Sequence, residues 1–70
     1  MHRIPVTSSN IRSIGYDSRS ATLEVEFTSG DVYRYFDVPE HLFRQLLHAS
    51  SYGQFLSDYI RYNYRYQKIS

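Results

Sequence analysis

LEVEFTSGDVYRYFDVP, Leu23 to Pro39, decides the fold of this chain. Its first part alternates cleanly: Leu23, Val25 and Phe27 point one way and Glu24 and Glu26 the other, the signature of a half-buried strand beginning near Ala21. A Ser-Gly turn follows, then an aromatic strand over Val32-Tyr33-Arg34-Tyr35 that stops before Val38-Pro39. The turn sets which face the two tyrosines occupy. A two-residue Ser29-Gly30 loop puts Glu24 opposite Tyr35 and turns both rings toward the Glu24/Glu26 face, open to solvent or a ligand. A three-residue Thr28-Ser29-Gly30 loop pairs Phe27 with Asp31, Val25 with Tyr33, Leu23 with Tyr35 and Glu24 with Arg34. The second register is favoured. Gly30 falls where a left-handed residue is needed, and Glu24–Arg34 becomes an opposite-charge pair across the strands. Both tyrosines then belong to the core rather than to a binding platform.

Toward the N-terminus, Ile11 and Ile14 sit among polar neighbours as a weak strand, and Asp17-Ser18-Arg19-Ser20 is turn chemistry. Residues before Ile11 are polar and broken by Pro5, which predicts a loose start with Val6 as an anchor. Toward the C-terminus, Pro39 is expected at the first helical position, with Asp37 and Glu40 near the positive end of the helix dipole. Leu42, Phe43, Leu46 and Leu47 form its apolar stripe. Ser51 and Gln54 have capping-box spacing, opening a second helix in which Tyr52, Phe55, Leu56, Tyr59 and Ile60 share one face and Gly53 is a soft spot. Residues 62–68 then alternate with period two, as coil or a short strand. The expected fold is α+β: an antiparallel sheet of three to four strands with two C-terminal helices packed on one face.

Seventy residues make one domain, with a core spanning about residues 6–69. So short a chain buries only about 60% of its unfolded surface. Eight Tyr and four Phe compensate, since each large ring buries roughly 150–250 Å². The absence of cysteine excludes disulfides and thiolate metal sites. No apolar run approaches a spanning helix and the N-terminus has no signal-peptide core, so a soluble, cytoplasmic protein without membrane association is expected.

Chemistry is sparse. His41 and His48 would lie about 10.5 Å apart along a helix, too far to share one zinc, and His2 is in the loose start. No G-x-S-x-G or phosphate-cradling glycine loop occurs, and the serines cluster in turns. The expectation is a non-enzyme with no cofactor and no metal. Net charge is +1, divided as −2 over residues 1–40 and +3 over residues 41–70. The suggestive constellation is Arg61-Tyr62-Asn63-Tyr64-Arg65-Tyr66-Gln67-Lys68, where cations alternate with rings. Arg61, Arg65 and Lys68 could meet phosphates while Tyr62 or Tyr64 stacks on unpaired bases, with Arg34 helping from the sheet. The same segment could instead lay its rings over the sheet edge and leave the arginines in solvent.

The order SSNIRSIGYD, LEVEF-TSGDVYRYFDVP, LLHASSYGQF and IRYNYRY resembles the KTSC domain, across roughly Val6 to Ile69. Tyr33-Arg34-Tyr35 followed by Phe36 and Val38-Pro39 is the most distinctive part. That short bacterial module is named for its occurrence at the C-terminus of some lysyl-tRNA synthetases and also stands alone. The resemblance implies RNA binding, to a single strand or tRNA, by association with the synthetase, and brings no catalytic residues. The alternative is a protein-interaction or self-associating module in which Val32, Phe36 and surplus tyrosines form the contact, because Tyr and Arg suit such hot spots equally well.

Overall fold

The computed structural model describes Met1–Ser70 in full. Five strands form one antiparallel sheet in chain order: β1 (Arg3–Pro5), β2 (Ile11–Asp17), β3 (Thr22–Phe27), β4 (Val32–Tyr35) and β5 (Tyr66–Lys68). Between β4 and β5 the chain forms α1 (Glu40–Leu47) and α2 (Tyr52–Phe55), the latter continuing into a π-helical turn over Leu56–Ile60.

The sheet is therefore larger than the three to four strands expected from sequence. Both additions are three-residue edge strands. β1 forms where a loose start was predicted: Ile4 pairs with Ile14 and Pro5 with Ser13. Proline is tolerated there because an edge strand need not donate from every amide. The alternating C-terminal stretch supplies β5, with Tyr66 opposite Tyr35 and Lys68 opposite Tyr33. β1 has no hydrophobic pattern of its own and β5 only the period-two alternation of residues 62–68, so pairing with a longer neighbour creates both.

The β3–β4 register is the three-residue one. Leu23 lies opposite Tyr35, Glu24 opposite Arg34 and Val25 opposite Tyr33. The Phe27 amide donates to the Asp31 carbonyl at 2.8 Å, the Gly30 amide returns to the Phe27 carbonyl at 2.9 Å, and Gly30 has φ +98°. That φ is left-handed, where a side chain costs energy and glycine does not. In β2 the pairing slips between Ile11 and Ser13, so Arg12 is the extra residue of a bulge.

The helices cover the face carrying Ile14, Leu23, Val25 and Tyr35. Leu46, Leu56 and Ile60 close over it, and Ile11 and Val38 complete the buried core. Pro39 caps α1 from one position outside, with φ −62° and ψ 146°, rather than occupying its first turn. Its carbonyl accepts from the amides of Leu42 and Phe43. Ser51 caps α2 as expected, its hydroxyl accepting from the Gln54 amide at 3.2 Å. The second helix does not stay regular to Ile60: the Arg61 amide bonds the Leu56 carbonyl at 2.8 Å, a step of five residues. One extra residue in that turn rotates everything after it by about 100° about the axis.

Tyr16 locks the sheet to the helical layer. Its hydroxyl donates to the Val38 carbonyl at 2.6 Å, and its ring stacks on Phe43 at 4.8 Å. The opposite face of the sheet carries no helix. There Glu24, only 5% exposed, receives Arg34 Nε at 2.9 Å and Arg3 Nε at 3.2 Å. Glu26 beside it accepts from the Ser13 hydroxyl at 2.8 Å and lies 3.7 Å from Arg12 Nη1. This face is a lattice of matched charges. No helix of the chain is long and apolar enough to cross a membrane.

Candidate nucleic-acid interface

The helices do not reach the whole of the face they cover. At the corner formed by the β3–β4 hairpin and β5 they leave a groove of about 400 Å³, within the usual range of small-ligand pockets. Strand alternation builds its floor, because Phe27, Tyr33, Tyr35 and Tyr66 all point to the helix side. Tyr33 is the centre of the ring cluster. It meets Phe27 edge-on at 5.8 Å, stacks against Tyr35 at 6.4 Å and lies 5.8 Å from Tyr66. Tyr35 is buried at 2% exposure, Tyr33 is half-buried and Tyr66 is exposed.

One end of the groove is the hairpin turn, with Thr28, Ser29 and Asp31, and beside it Asn10. Asn10 is held there by α2. A Cβ on Gly53 would fall 2.7 Å from Asn10 Oδ1, so glycine allows the amide to rest on the helix start. The soft spot read in the sequence thus has a packing reason. The other end is closed by Arg61 and Tyr62, which follow the π-helical turn. The Arg61 guanidinium lies 5.6 Å from the centroid of the exposed Tyr62 ring.

The residues singled out from sequence do not form one cluster. Arg61 and Tyr62 flank the groove. Lys68 shares the groove's face of the sheet through its pairing with Tyr33, and its ammonium lies 3.4 Å from Asp31. Arg34 is on the opposite face, engaged by Glu24. Arg65 pairs with Asp37 at 3.4 Å and covers the Phe36 ring at 5.3 Å. Tyr64 is half-buried and packs against the core. Val32, expected as an exposed contact, is 7% exposed, with its carbonyl accepting from the Ile69 amide and its amide donating to the Ser70 carbonyl.

Charge sorts these cations further. Six of the eight Lys and Arg side chains lie within 4 Å of a carboxylate oxygen, and Arg19 and Arg61 do not. Arg61 is therefore the groove's uncompensated cation. Sequence reasoning did not bring Phe27, Asn10, Asp31 and Tyr66 together with Tyr33, which it assigned to the core. The parity of the alternation places Tyr33 and Tyr66 on one face only once β5 is known to pair with β4. No three His, Asp or Glu side chains converge as a metal site.

Burial raises the Tyr35 hydroxyl pKa above 10.0, opposed by the nearby Arg61 charge. Tyr16 is likewise raised, first by burial and then by the charges of Glu40 and Asp17. Both hydroxyls are neutral over the physiological range, and of the two Tyr35 belongs to the groove floor.

Residues 7–64 match the sequence profile of the KTSC domain. An uncharacterised protein of Stutzerimonas stutzeri is 43% identical over 70 residues, covering 99% of both chains. A lysine–tRNA ligase of Trichormus variabilis is 39% identical over 60 residues, which are 86% of this chain but 11% of the ligase. The crystal structure of a KTSC domain protein from Yersinia pestis superposes with a TM-score of 0.95 at 38% identity, covering 99% of this chain and 97% of the other. A profile match over most of the chain and full-length likeness in both sequence and fold agree: the chain belongs to the KTSC domain family.

Proposed function

We propose that this protein is a non-catalytic module that binds single-stranded RNA in the groove between the β3–β4 hairpin and the end of the π-helical turn. The observation that carries this reading is the aromatic floor of Tyr33 and Tyr66 beside an unpaired Arg61. Bases offer π-faces to such rings, each stack contributing about 1–3 kcal/mol, and Arg61 supplies the charge for the phosphate that follows. A stretch similar to nearly the whole chain forms part of proteins named lysine–tRNA ligase, which puts tRNA within reach of such a module. Arg61, Tyr62 and Lys68, which line the groove or share its face, act in this reading; Arg34, on the opposite face with Glu24, Arg65, outside the groove lining, and Tyr64, packed on the core, do not.

The test is titration of a short uridine-rich oligoribonucleotide at about 50 mM and about 200 mM salt. With one or two phosphates met, log K falls with log salt at a slope of about −0.7 to −1.4. Tyr33→Leu and Arg61→Gln each weaken binding about tenfold or more, and Arg65→Gln changes it less than about twofold. Absence of binding at the lower salt overturns the proposal. A second reading, self-association or docking to a protein, draws on the exposed rings of Tyr59, Tyr62 and Tyr66, residues of the type that anchor interfaces. A molar mass that rises with concentration supports it; a constant monomer mass counts against self-association.

A further inference from the structure

The groove holds an ion pair, Asp31 with Lys68, at the hairpin and an unpaired cation, Arg61, elsewhere on its rim. At the hairpin end, most hydrogen-bonding groups are already engaged. The Thr28 carbonyl accepts from Arg12 Nη2 at 3.2 Å, the Thr28 amide donates to the Asn10 carbonyl at 3.0 Å, and Asn10 Oδ1 accepts from the Ser8 hydroxyl at 3.1 Å. The Asp31 carbonyl accepts from Phe27, and its amide donates to the Ser29 hydroxyl at 3.4 Å. What stays open is the half-exposed Asp31 carboxylate, touched through one oxygen by Lys68 at 3.4 Å. Each carboxylate oxygen has two lone pairs, so the group can still accept two hydrogen bonds. Arg61 lines the same groove, near enough to Tyr35 for its charge to act on that hydroxyl, and has no carboxylate within 4 Å.

From Asp31 to Tyr35 is four strand residues, about 13 Å at about 3.3 Å per residue. That span holds one nucleotide laid along β4 with its base on Tyr33. Charge fixes its direction: the phosphate goes to Arg61, and the edge of the base meets the Asp31 carboxylate. A carboxylate accepts hydrogen bonds and donates none, so it selects a base with adjacent N–H donors on its Watson–Crick edge. Guanine alone of the four has them, in N1–H and the N2 amino group. Adenine and cytosine set a ring nitrogen acceptor beside their amino group, and uracil flanks one N–H with two carbonyls, so each would turn a lone pair toward the carboxylate.

We infer that the groove is a guanine-specific pocket, with Asp31 reading the base edge, Tyr33 and Tyr66 stacking on the base and Arg61 holding its phosphate. This rests on the strand-binding reading given above and adds the base identity to it.

The experiment titrates the full chain with the pentaribonucleotides UUGUU, UUAUU, UUCUU and UUUUU, and with 5′-GMP alone, following backbone amide resonances. UUGUU is expected to bind about tenfold or more tighter than the other three. In Asp31→Asn, whose amide has one acceptor and one donor group in place of two acceptors, the ratio of UUGUU to UUUUU affinity falls to within about twofold. The dispersion of the amide spectrum checks that this variant is folded. Equal binding of all four pentamers, or an unchanged ratio in Asp31→Asn, overturns the guanine assignment and leaves strand binding standing. Binding of 5′-GMP as tight as that of UUGUU keeps the guanine pocket and overturns the strand. Failure of every probe to bind overturns both.

Discussion

Glu24 and Arg34 lie directly opposite each other on β3 and β4, with Arg34 Nε 2.9 Å from Glu24 Oε1. That pair occupies the helix-free face, and because side chains alternate, it commits Tyr33 and Tyr35 to the other. Arg3 approaches the second carboxylate oxygen at 3.2 Å, so the buried acid serves two cations. Truncating the acid and truncating one base are therefore unequal. Glu24→Ala strands two arginines that can still turn to water, and should cost about 1–2 kcal/mol in urea unfolding. Arg34→Met leaves Glu24 with Arg3 and should cost less than about 1 kcal/mol. Equal losses would mean that Arg3 contributes nothing to the pair.

Tyr33 and Tyr35 share a face but not a role. Tyr35 is in the core, so Tyr35→Ala should cost about 3–5 kcal/mol, enough to unfold much of so small a domain. Tyr33 rests on the core and forms the groove floor, so Tyr33→Ala should cost about 1–2 kcal/mol and leave a folded protein. Thermal unfolding of the two variants separates these values. Similar losses would contradict the division between core and platform.

Ala21 has φ 53°, a left-handed conformation in the turn between β2 and β3. Ala21→Gly removes the Cβ penalty and should stabilise by about 0.5–1 kcal/mol. Gly30→Ala is the converse. Nothing lies within 4 Å of the added Cβ, so a loss of about 1 kcal/mol there would be purely a backbone effect. Urea midpoints measure both.

Alkaline pH should destabilise the protein through the hydroxyls of half-buried Tyr16 and buried Tyr35. Tyr16 and Tyr35 have pKa values raised above 10.0, each chiefly by burial. A raised folded value means that the native state favours the protonated phenol. The stabilisation is complete below the unfolded value and is lost as pH rises through the folded one. Tyrosinate absorbance should thus show late titration coinciding with unfolding. Tyr16→Phe removes one late group together with the 2.6 Å bond to Val38, at a cost of about 1 kcal/mol. At the acid end, Asp17 has a lowered pKa because the Arg19 amide and then the Ser20 side chain bond its carboxylate. Its contribution is present above the unfolded value of 3.8 and disappears as pH falls through the folded one.

The hairpin register was legible because local chemistry encodes it: the alternation of Leu23, Val25 and Phe27, a glycine at the left-handed position and a charge pair that only one register satisfies. The Ser51 cap and most of the apolar stripes were legible for the same reason, but Tyr59, read on the same face as Ile60, lies in the π-helical turn and is 54% exposed. β1 was not legible, and β5 was legible as the period-two stretch of residues 62–68 but not as a settled strand, since three-residue edge strands exist through hydrogen bonds to a neighbour. The π-helical turn was also hidden, because the period from Tyr52 to Ile60 reads as ordinary helix.

By itself, the amino-acid sequence determined the α+β class, the strand register at Gly30 and the face on which Tyr33 and Tyr35 lie, because alternation, turn chemistry and helical period act between near neighbours. Only the tertiary structure decided that this face is part core and part groove. It set Tyr66 beside Tyr33, brought Arg61 to the groove's edge, and paired Arg34 with Glu24 and Arg65 with Asp37. Those relations join residues distant in the chain, through packing and ion pairs that no local pattern contains.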